Sequence, residues 1–341
     1  MFKNGVYKAA IFALMLIAIS GCGSADRDIR YDSTEGEFPI IVTTIYPIEY
    51  FTKRITALDS EAVVIPVLEA GAEAHTFEPR PSNIQDLAAA DLIIANGLDL
   101  EPWLDRALGA LGDAHAPVIE AVMWPGFVPR EHGHDDEHGH DDEQGHDDEQ
   151  GHDDEQGHDD EQSLYLSDPH VWLDPTLAAK MVERISEALV VANPNSTESY
   201  RVGASGLIED LLSLDAAYAS QLTDCKRRHF VTTHSAYGYL ADRYSLEQLS
   251  ITGLSAEIAP SPRDLANIVN QVRTLGLTHV LVEPSLNSAI ALTLAAETNI
   301  DVLPIHQLES VTLSELTEHG DYLGLMQSNL ESLTIALGCV I

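Results

Sequence analysis

Histidine and carboxylate residues fall into two contrasting patterns in this chain, one crowded and one dispersed. Residues 131–162 repeat a six-residue unit carrying seven histidines (His132, His134, His138, His140, His146, His152 and His158) and sixteen carboxylates, without a cation. Near neutral pH many of those imidazoles are unprotonated and able to bind metal. Borderline ions such as zinc favour imidazole, with carboxylate as second choice. A tract of this composition cannot bury apolar surface, so a mobile, hydrated loop with several weak metal sites is expected. The competing reading is an acidic low-complexity spacer whose histidines arose by repeat expansion.

The dispersed pattern comprises His75, His170, His234 and Glu309, separated by 95, 64 and 75 residues. Those gaps match no local ligand motif. Placement is more informative than spacing. His234 directly follows the apolar run 229–233, Glu309 comes four residues after 301–305, and His75 lies a few residues past 62–67. Open α/β sheets bind ligands beyond the carboxyl ends of their strands. His170, in SDPHVWLDP just after the repeat, is the exception. Two of the four belong to each half of the chain, which points to a cleft between halves with imidazoles on both sides. Taken singly, each histidine is more often a surface or capping residue than a ligand.

The elements that must position these groups show α/β alternation twice over. Strands are expected at 39–44, 62–67, 91–95 and 117–121, then at 229–233, 247–251, 278–283 and 301–305. Helices are expected around 48–58 and 81–89, and later at 235–244, 262–275, 286–297 and 320–337. Between the halves, Pro175 to Ala192 closes the first lobe and Asn193-Pro194 makes a break. From Ser196 to Leu222, apolar or aromatic residues then recur at Leu207, Leu211, Leu214 and Tyr218, spaced for one helix. A helix of roughly 26 residues runs about 39 Å, long enough to join two lobes stiffly. Such a joint suits a small ligand rather than wide hinge opening.

At 341 residues with 45% hydrophobic content, the chain has room for two globular domains. The net charge is −37, of which the repeat contributes −16 and the rest −21. Such a surface repels nucleic-acid phosphates and suits a cationic solute. Lys3 and Lys8 precede an apolar run from Ala9 to Ser20, too short for a permanent membrane span. The run ends in Ile19-Ser20-Gly21-Cys22, which resembles the lipobox of bacterial lipoproteins. That resemblance implies removal of residues 1–21, a lipid on Cys22 and a polar tether over 22–38; a plain secretory signal is the alternative. Cys225 and Cys339 form either one disulfide, as an oxidising compartment allows, or two separate buried thiols.

Several stretches together resemble the metal-binding receptors of ABC importers, the cluster A-I solute-binding proteins for zinc and manganese. They include Ile45-Tyr46-Pro47, His75-Thr76-Phe77-Glu78-Pro79, Asn96-Gly97-Leu98 with Glu101 and Trp103, and Asp168-Pro169-His170-Val171-Trp172-Leu173-Asp174-Pro175. They continue through Thr233-His234-Ser235-Ala236-Tyr237-Gly238-Tyr239, Gly253-Leu254-Ser255, Pro260-Ser261-Pro262, Val282-Glu283-Pro284 and Tyr322-Leu323. The segments run in order along about 39–341, and DPHVWLDP and THSAYGY are the most specific.

The resemblance implies two similar α/β lobes joined by one long rigid helix, with metal between them. The lobes would be 39–192, containing the loop 131–162, and 225–341, with the linking helix over 193–224. It carries the ligand roles onto His75, His170, His234 and an acidic residue in the last strand-to-helix loop. Glu309 is the nearest match there, with His306, Asp301 or water as alternatives. The manganese branch has Glu at the third position; here His234 stands there, which favours Zn2+ over Mn2+. Glu73 and Glu78 are expected to support the His75 loop, Trp172 to wall the cleft, and Glu283 to act behind a ligand or as a structural hydrogen bond. The implied protein is a lipid-anchored, monomeric, extracytoplasmic receptor that passes its ion to an ABC permease. A surface adhesin or a metal buffer without a permease are rival readings. A zinc hydrolase is a further one, which the lack of an HExxH motif or an evident general base disfavours.

Overall fold

The computed structural model describes residues 39–59, 61–112, 115–132, 166–254, 260–284 and 289–340. The expected signal and tether, Cys22, and the repeat from residue 133 onward with His134, His138, His140, His146, His152 and His158 lie outside the described residues.

Two four-stranded parallel sheets organise the fold. The first contains β1 (Ile40–Thr43), β2 (Val63–Pro66), β3 (Leu92–Ala95) and β4 (Val118–Glu120) in the order β2-β1-β3-β4. A short antiparallel pair, β5 (Glu131–His132) with β6 (Leu166–Ser167), brackets the repeat. The second sheet contains β7 (His229–Thr232), β8 (Glu247–Ser250), β9 (His279–Val282) and β10 (Asp301–Pro304). Its order, β8-β7-β9-β10, repeats that of the first sheet strand for strand. The inner strands IIVT and LIIA are buried along their whole length, as expected for sheets covered on both faces.

Several helices begin where the sequence supplies a side-chain cap. In the first half α1 is Tyr46–Thr56, α2 Pro81–Ala89, α3 Pro102–Leu111 and α4 Pro175–Ala192. The Asp174 carboxylate accepts the Thr176 and Leu177 N–H groups, and Pro175 takes the first helical position, where no N–H is required. Next come α5 (Thr197–Gln221), α6 (Gly238–Arg243), α7 (Pro262–Thr274), α8 (Ala289–Thr298), α9 (Leu313–His319) and α10 (Tyr322–Leu337). Asp321 caps α10 at its start, and Gly338 ends it in the left-handed conformation that glycine adopts without strain. Helix α9 was not anticipated, and α3 was expected only as a helix without bounds between the third and fourth strands.

The 25-residue α5, about 37 Å long, packs on α1 and α4 on one side and α10 on the other. One apolar core therefore runs through both halves, from Ile41, Phe51 and Trp172 through Tyr218 to Phe230, Tyr322 and Leu330. Two smaller clusters cover the outer faces of the two sheets. Pulling the lobes apart would expose that shared core at about 25 cal/mol per Å², so the structure favours small relative motions. A Cys225–Cys339 disulfide ties the end of α10 to the start of the second lobe across 114 residues. Loop closure of that length is worth about 4–5 kcal/mol in the chain-entropy account.

Candidate metal centre

The cleft is assembled from chain segments that leave the carboxyl ends of β2, β7 and β10, together with the turn before α4. His75 lies in the loop between β2 and α2, with its side chain 17% exposed. His170 opens a short 3-10 turn (Val171–Leu173) that leads into α4, and it is wholly buried. His234 follows β7, where its carbonyl accepts hydrogen bonds from Gln248 Nε2 (2.8 Å) and Thr232 Oγ1 (2.8 Å). Glu309 follows β10 and is wholly buried. It comes after Leu308, a non-glycine residue at φ 67°. Such a conformation costs of order 1–3 kcal/mol and recurs at functional sites.

Ligand atoms of His75, His170 and Glu309 lie within 4.8 Å of one another. His170 Nε2 is 3.0 Å and His75 Nε2 3.7 Å from Glu309 Oε1. His234 stands outside that tightest trio but borders it, its ring centroid 5.5 Å from that of His170. The His75 and His170 rings are 5.8 Å apart. All four groups assigned by resemblance thus meet at one place, drawn from both lobes.

Carboxylates stand behind two of the imidazoles. Asp168 Oδ1 is 2.8 Å from His170 Nδ1, and Glu283 Oε1 is 3.1 Å from His234 Nδ1. Carboxylates in that position fix the ring and tautomer of ligating histidines and raise their basicity. Trp172 is fully buried with its ring 5.4 Å from His170, and its indole N–H donates to the Gln307 carbonyl at 2.7 Å.

The electrostatics follow from this enclosure. Burial lowers the His75 pKa, which keeps that imidazole neutral. Burial also opposes charge on His170, but hydrogen bonds to Asp168 and Glu309 outweigh it and hold the group up at about 9. Burial would raise Glu309; the His170 hydrogen bond and the nearby imidazoles instead bring it down to about 2. His75 Nε2 and Glu309 Oε2 are buried without a hydrogen-bond partner among the described residues. Leaving such atoms unpaired costs about 1–3 kcal/mol each, and a shared divalent ion would satisfy both. Imidazole nitrogens with one carboxylate form a donor set that zinc accepts.

Of the alternatives for the fourth group, Asp301 is exposed at the amino end of β10, paired in register with His279, away from the cluster. His306 is turned to Glu315, with Nδ1 at 2.9 Å from its carboxylate. Glu78 faces Arg106 on the surface at 3.1 Å. Two contributors went unassigned in the sequence. One is Asp168, whose signal is its position two residues before His170. The other is Ser310, whose hydroxyl accepts the Gly71 N–H (2.6 Å) and donates to the Glu69 carbonyl (3.1 Å), tying the His75 loop to the Glu309 loop. The Tyr46 N–H reaches the Glu309 carbonyl at 3.0 Å, a further tie between lobes.

Two like-ordered parallel sheets on a shared core, with imidazoles and carboxylates converging between them, define a two-lobed cleft-binding protein. The chain belongs to the family described as ZnuA, zinc-uptake complex component A, periplasmic, which it matches over residues 41–336. It is 32% identical over 337 residues to the zinc-binding lipoprotein AdcA of Streptococcus pneumoniae (strain ATCC BAA-255 / R6), covering 98% of this chain and 60% of that protein. It thus spans about three fifths of that relative's length. Against the high-affinity zinc uptake system protein ZnuA of Bacillus subtilis (strain 168) it is 31% identical over 339 residues, covering 99% of both chains. In structure it is similar to the Zn(II)-bound ZnuA-like domain of S. pneumoniae AdcA, at TM-score 0.69 and 29% identity, covering 88% of this chain and 99% of that one. It is also similar to the laminin-binding protein Lmb of Streptococcus agalactiae, described as bifunctional with adhesin and metal transporting activity. There the TM-score is 0.70 at 26% identity, covering 88% of this chain and 99% of that one.

Proposed function

We propose that this chain is an extracytoplasmic zinc receptor that binds one ion between its lobes and hands it to an ABC permease. The observation that carries the reading is the convergence of His75, His170 and Glu309, with His234 alongside, where His75 Nε2 and Glu309 Oε2 are buried without a hydrogen-bond partner among the described residues. His75, His170, His234 and Glu309 are the ligands, and Asp168 and Glu283 hold two of the rings. The relatives described as zinc-binding and zinc-uptake proteins support zinc as the cargo. Delivery requires only a slight parting of the lobes, in keeping with the shared core beneath them. The protein acts as a carrier, with no bond made or broken in its cargo.

The lipobox-like Ile19-Ser20-Gly21-Cys22 supports anchoring through Cys22 after loss of residues 1–21, with 22–38 as tether. The receptor works as a monomer, and the histidines of 131–162 collect metal weakly for the cleft. The likeness to Lmb favours adhesion as a second reading for the same surface-held lipoprotein. Calorimetric titration with zinc and with manganese, alongside His234→Ala, tests the main reading. One tight zinc site that the substitution weakens strongly is expected. Tight manganese with weak zinc would move the chain to the manganese branch, and no tight site would end the receptor reading.

A further inference from the structure

Besides the two in the cleft, the second lobe contains another carboxylate–histidine pair that the receptor reading leaves without a task. His306 follows β10 and is only 4% exposed. Its backbone is clamped by Asn329, whose amide oxygen accepts the His306 N–H (2.7 Å) and whose amide nitrogen donates to the His306 carbonyl (2.7 Å). Its Nδ1 lies 2.9 Å from Glu315, the residue that also closes the capping box of α9 with Thr312. That leaves Nε2, which is buried and has no hydrogen-bond partner among the described residues.

One helical turn beyond Glu315 on the same face of α9, His319 brings its ring centroid to 5.0 Å from that of His306. The corresponding ring separations in the cleft are 5.5 and 5.8 Å. The pairings match as well: Asp168 with His170 at 2.8 Å, Glu283 with His234 at 3.1 Å and Glu315 with His306 at 2.9 Å. A carboxylate on Nδ1 makes that nitrogen the N–H and leaves Nε2 with its lone pair, the form a metal binds.

We infer that His306 and His319 form a second, weaker binding site for an imidazole-preferring divalent ion, between the loop after β10 and the end of α9. Glu315 holds the His306 ring, His306 Nε2 supplies the buried donor, and His319 supplies the accessible one from the half-exposed end of α9. Water completes the coordination. Two imidazoles without a bound carboxylate suit zinc, nickel or copper and disfavour magnesium and calcium, which require oxygen ligands. The affinity falls well below that of the cleft, where more protein donors converge. The inference is independent of the cargo reading, since it uses none of the cleft residues.

Anomalous diffraction at the zinc edge locates the metal directly and separates this site from any bound elsewhere on the full chain. Crystals of the full chain grown with zinc in several-fold excess should show a peak bonded to His306 Nε2 and a ring nitrogen of His319. His319→Ala, a half-exposed position at a helix end, should abolish that peak and leave the cleft peak at full height. Glu315→Gln, which retains the capping hydrogen bonds, should lower its occupancy. A peak in the cleft alone, or a second peak that survives His319→Ala, would overturn the proposal. Loss of the cleft peak with retention of this one would instead strike the receptor reading and leave the second site standing.

Discussion

The two lobes repeat one strand order, yet they load the cleft in different ways. The second lobe presents His234 and Glu309 at 1% and 0% exposure, His234 just after β7 and Glu309 in the loop after β10. The first lobe presents His170 fully buried on a capped turn and His75, 17% exposed, on the longer loop after β2. Three of the four groups therefore form a fixed floor, and His75 is the side facing water. Preorganised donors are bound at little further entropic cost, while the exposed one is the natural point of entry and exit. The second lobe thus supplies only fixed donors, whereas the first supplies one fixed and one adjustable.

Breaking the floor should do far more harm than breaking the rim. Glu309→Ala or His170→Ala should weaken zinc about 10³-fold, equivalent to about 4 kcal/mol, because each also strands buried partners. His75→Ala should cost roughly one order of magnitude, or about 1.4 kcal/mol, since water can reach the vacated position. Competition titrations against a chelator of known affinity measure both. Equal losses would erase the distinction between floor and rim.

The proton inventory sharpens the contrast further. His75 is kept neutral by burial, whereas His170, despite burial, is held at about 9 by its bonds to Asp168 and Glu309. Metal must therefore displace a proton from the floor and none from the rim. Near pH 7, zinc binding should release about one proton, and affinity should rise about tenfold per pH unit until it levels near pH 9. Calorimetry in buffers of differing ionisation enthalpy counts that proton. The sign for the metal-free protein is opposite. A histidine pKa raised above its unfolded value near 6.5 stabilises fully below that value, and the benefit is lost as pH rises through about 9. Apo melting temperatures should fall across that window while zinc-loaded ones hold.

Sequence reading reached different depths in the two lobes for physical reasons. Apolar runs such as IIVT, LIIA and HFVT are buried on both faces, so their strands were readable to within a residue or two. The capped helices α2 and α4 were equally readable, because Pro81 and Asp174-Pro175 mark their starts. Helix α9 and the bounds of α3 were not read, and length is not the reason, since α2 and α6 are as short and were read. At the site, the strand-end positions of His234 and Glu309 are local facts, but their meeting with His75 and His170 is a tertiary one. Motif resemblance supplied that meeting where spacing did not. Neither signal revealed that His306 would turn away to Glu315, since a side-chain direction after β10 depends on where α9 lies.

The carboxylates behind the floor should matter less than the ligands themselves. Asp168→Asn preserves shape at His170 but replaces a charged acceptor 2.8 Å from Nδ1 with a neutral amide. Glu283→Gln does the same at His234, 3.1 Å away. Losses of about 10- to 100-fold in zinc affinity are expected, measurable by the same chelator competition. No change would reduce both carboxylates to packing groups and leave the rings positioned by backbone alone.

The smallest effect belongs to the tie between rim and floor. Ser310 Oγ accepts from Gly71 and donates to the Glu69 carbonyl, so one hydroxyl joins the Glu309 loop to the loop that carries His75. Ser310→Ala removes that link without touching a ligand. A net hydrogen bond is worth about 0.5–1.5 kcal/mol, so equilibrium affinity should fall only a few-fold. The effect should fall on the rate of release, because loosening the rim lets His75 leave while His170, His234 and Glu309 stay as they are. Stopped-flow transfer of zinc to an excess of chelator should therefore run faster in Ser310→Ala, with the association rate little changed. A slowed association with unchanged release would mean that Ser310 shapes entry instead, and that the His75 loop is already open in the free protein.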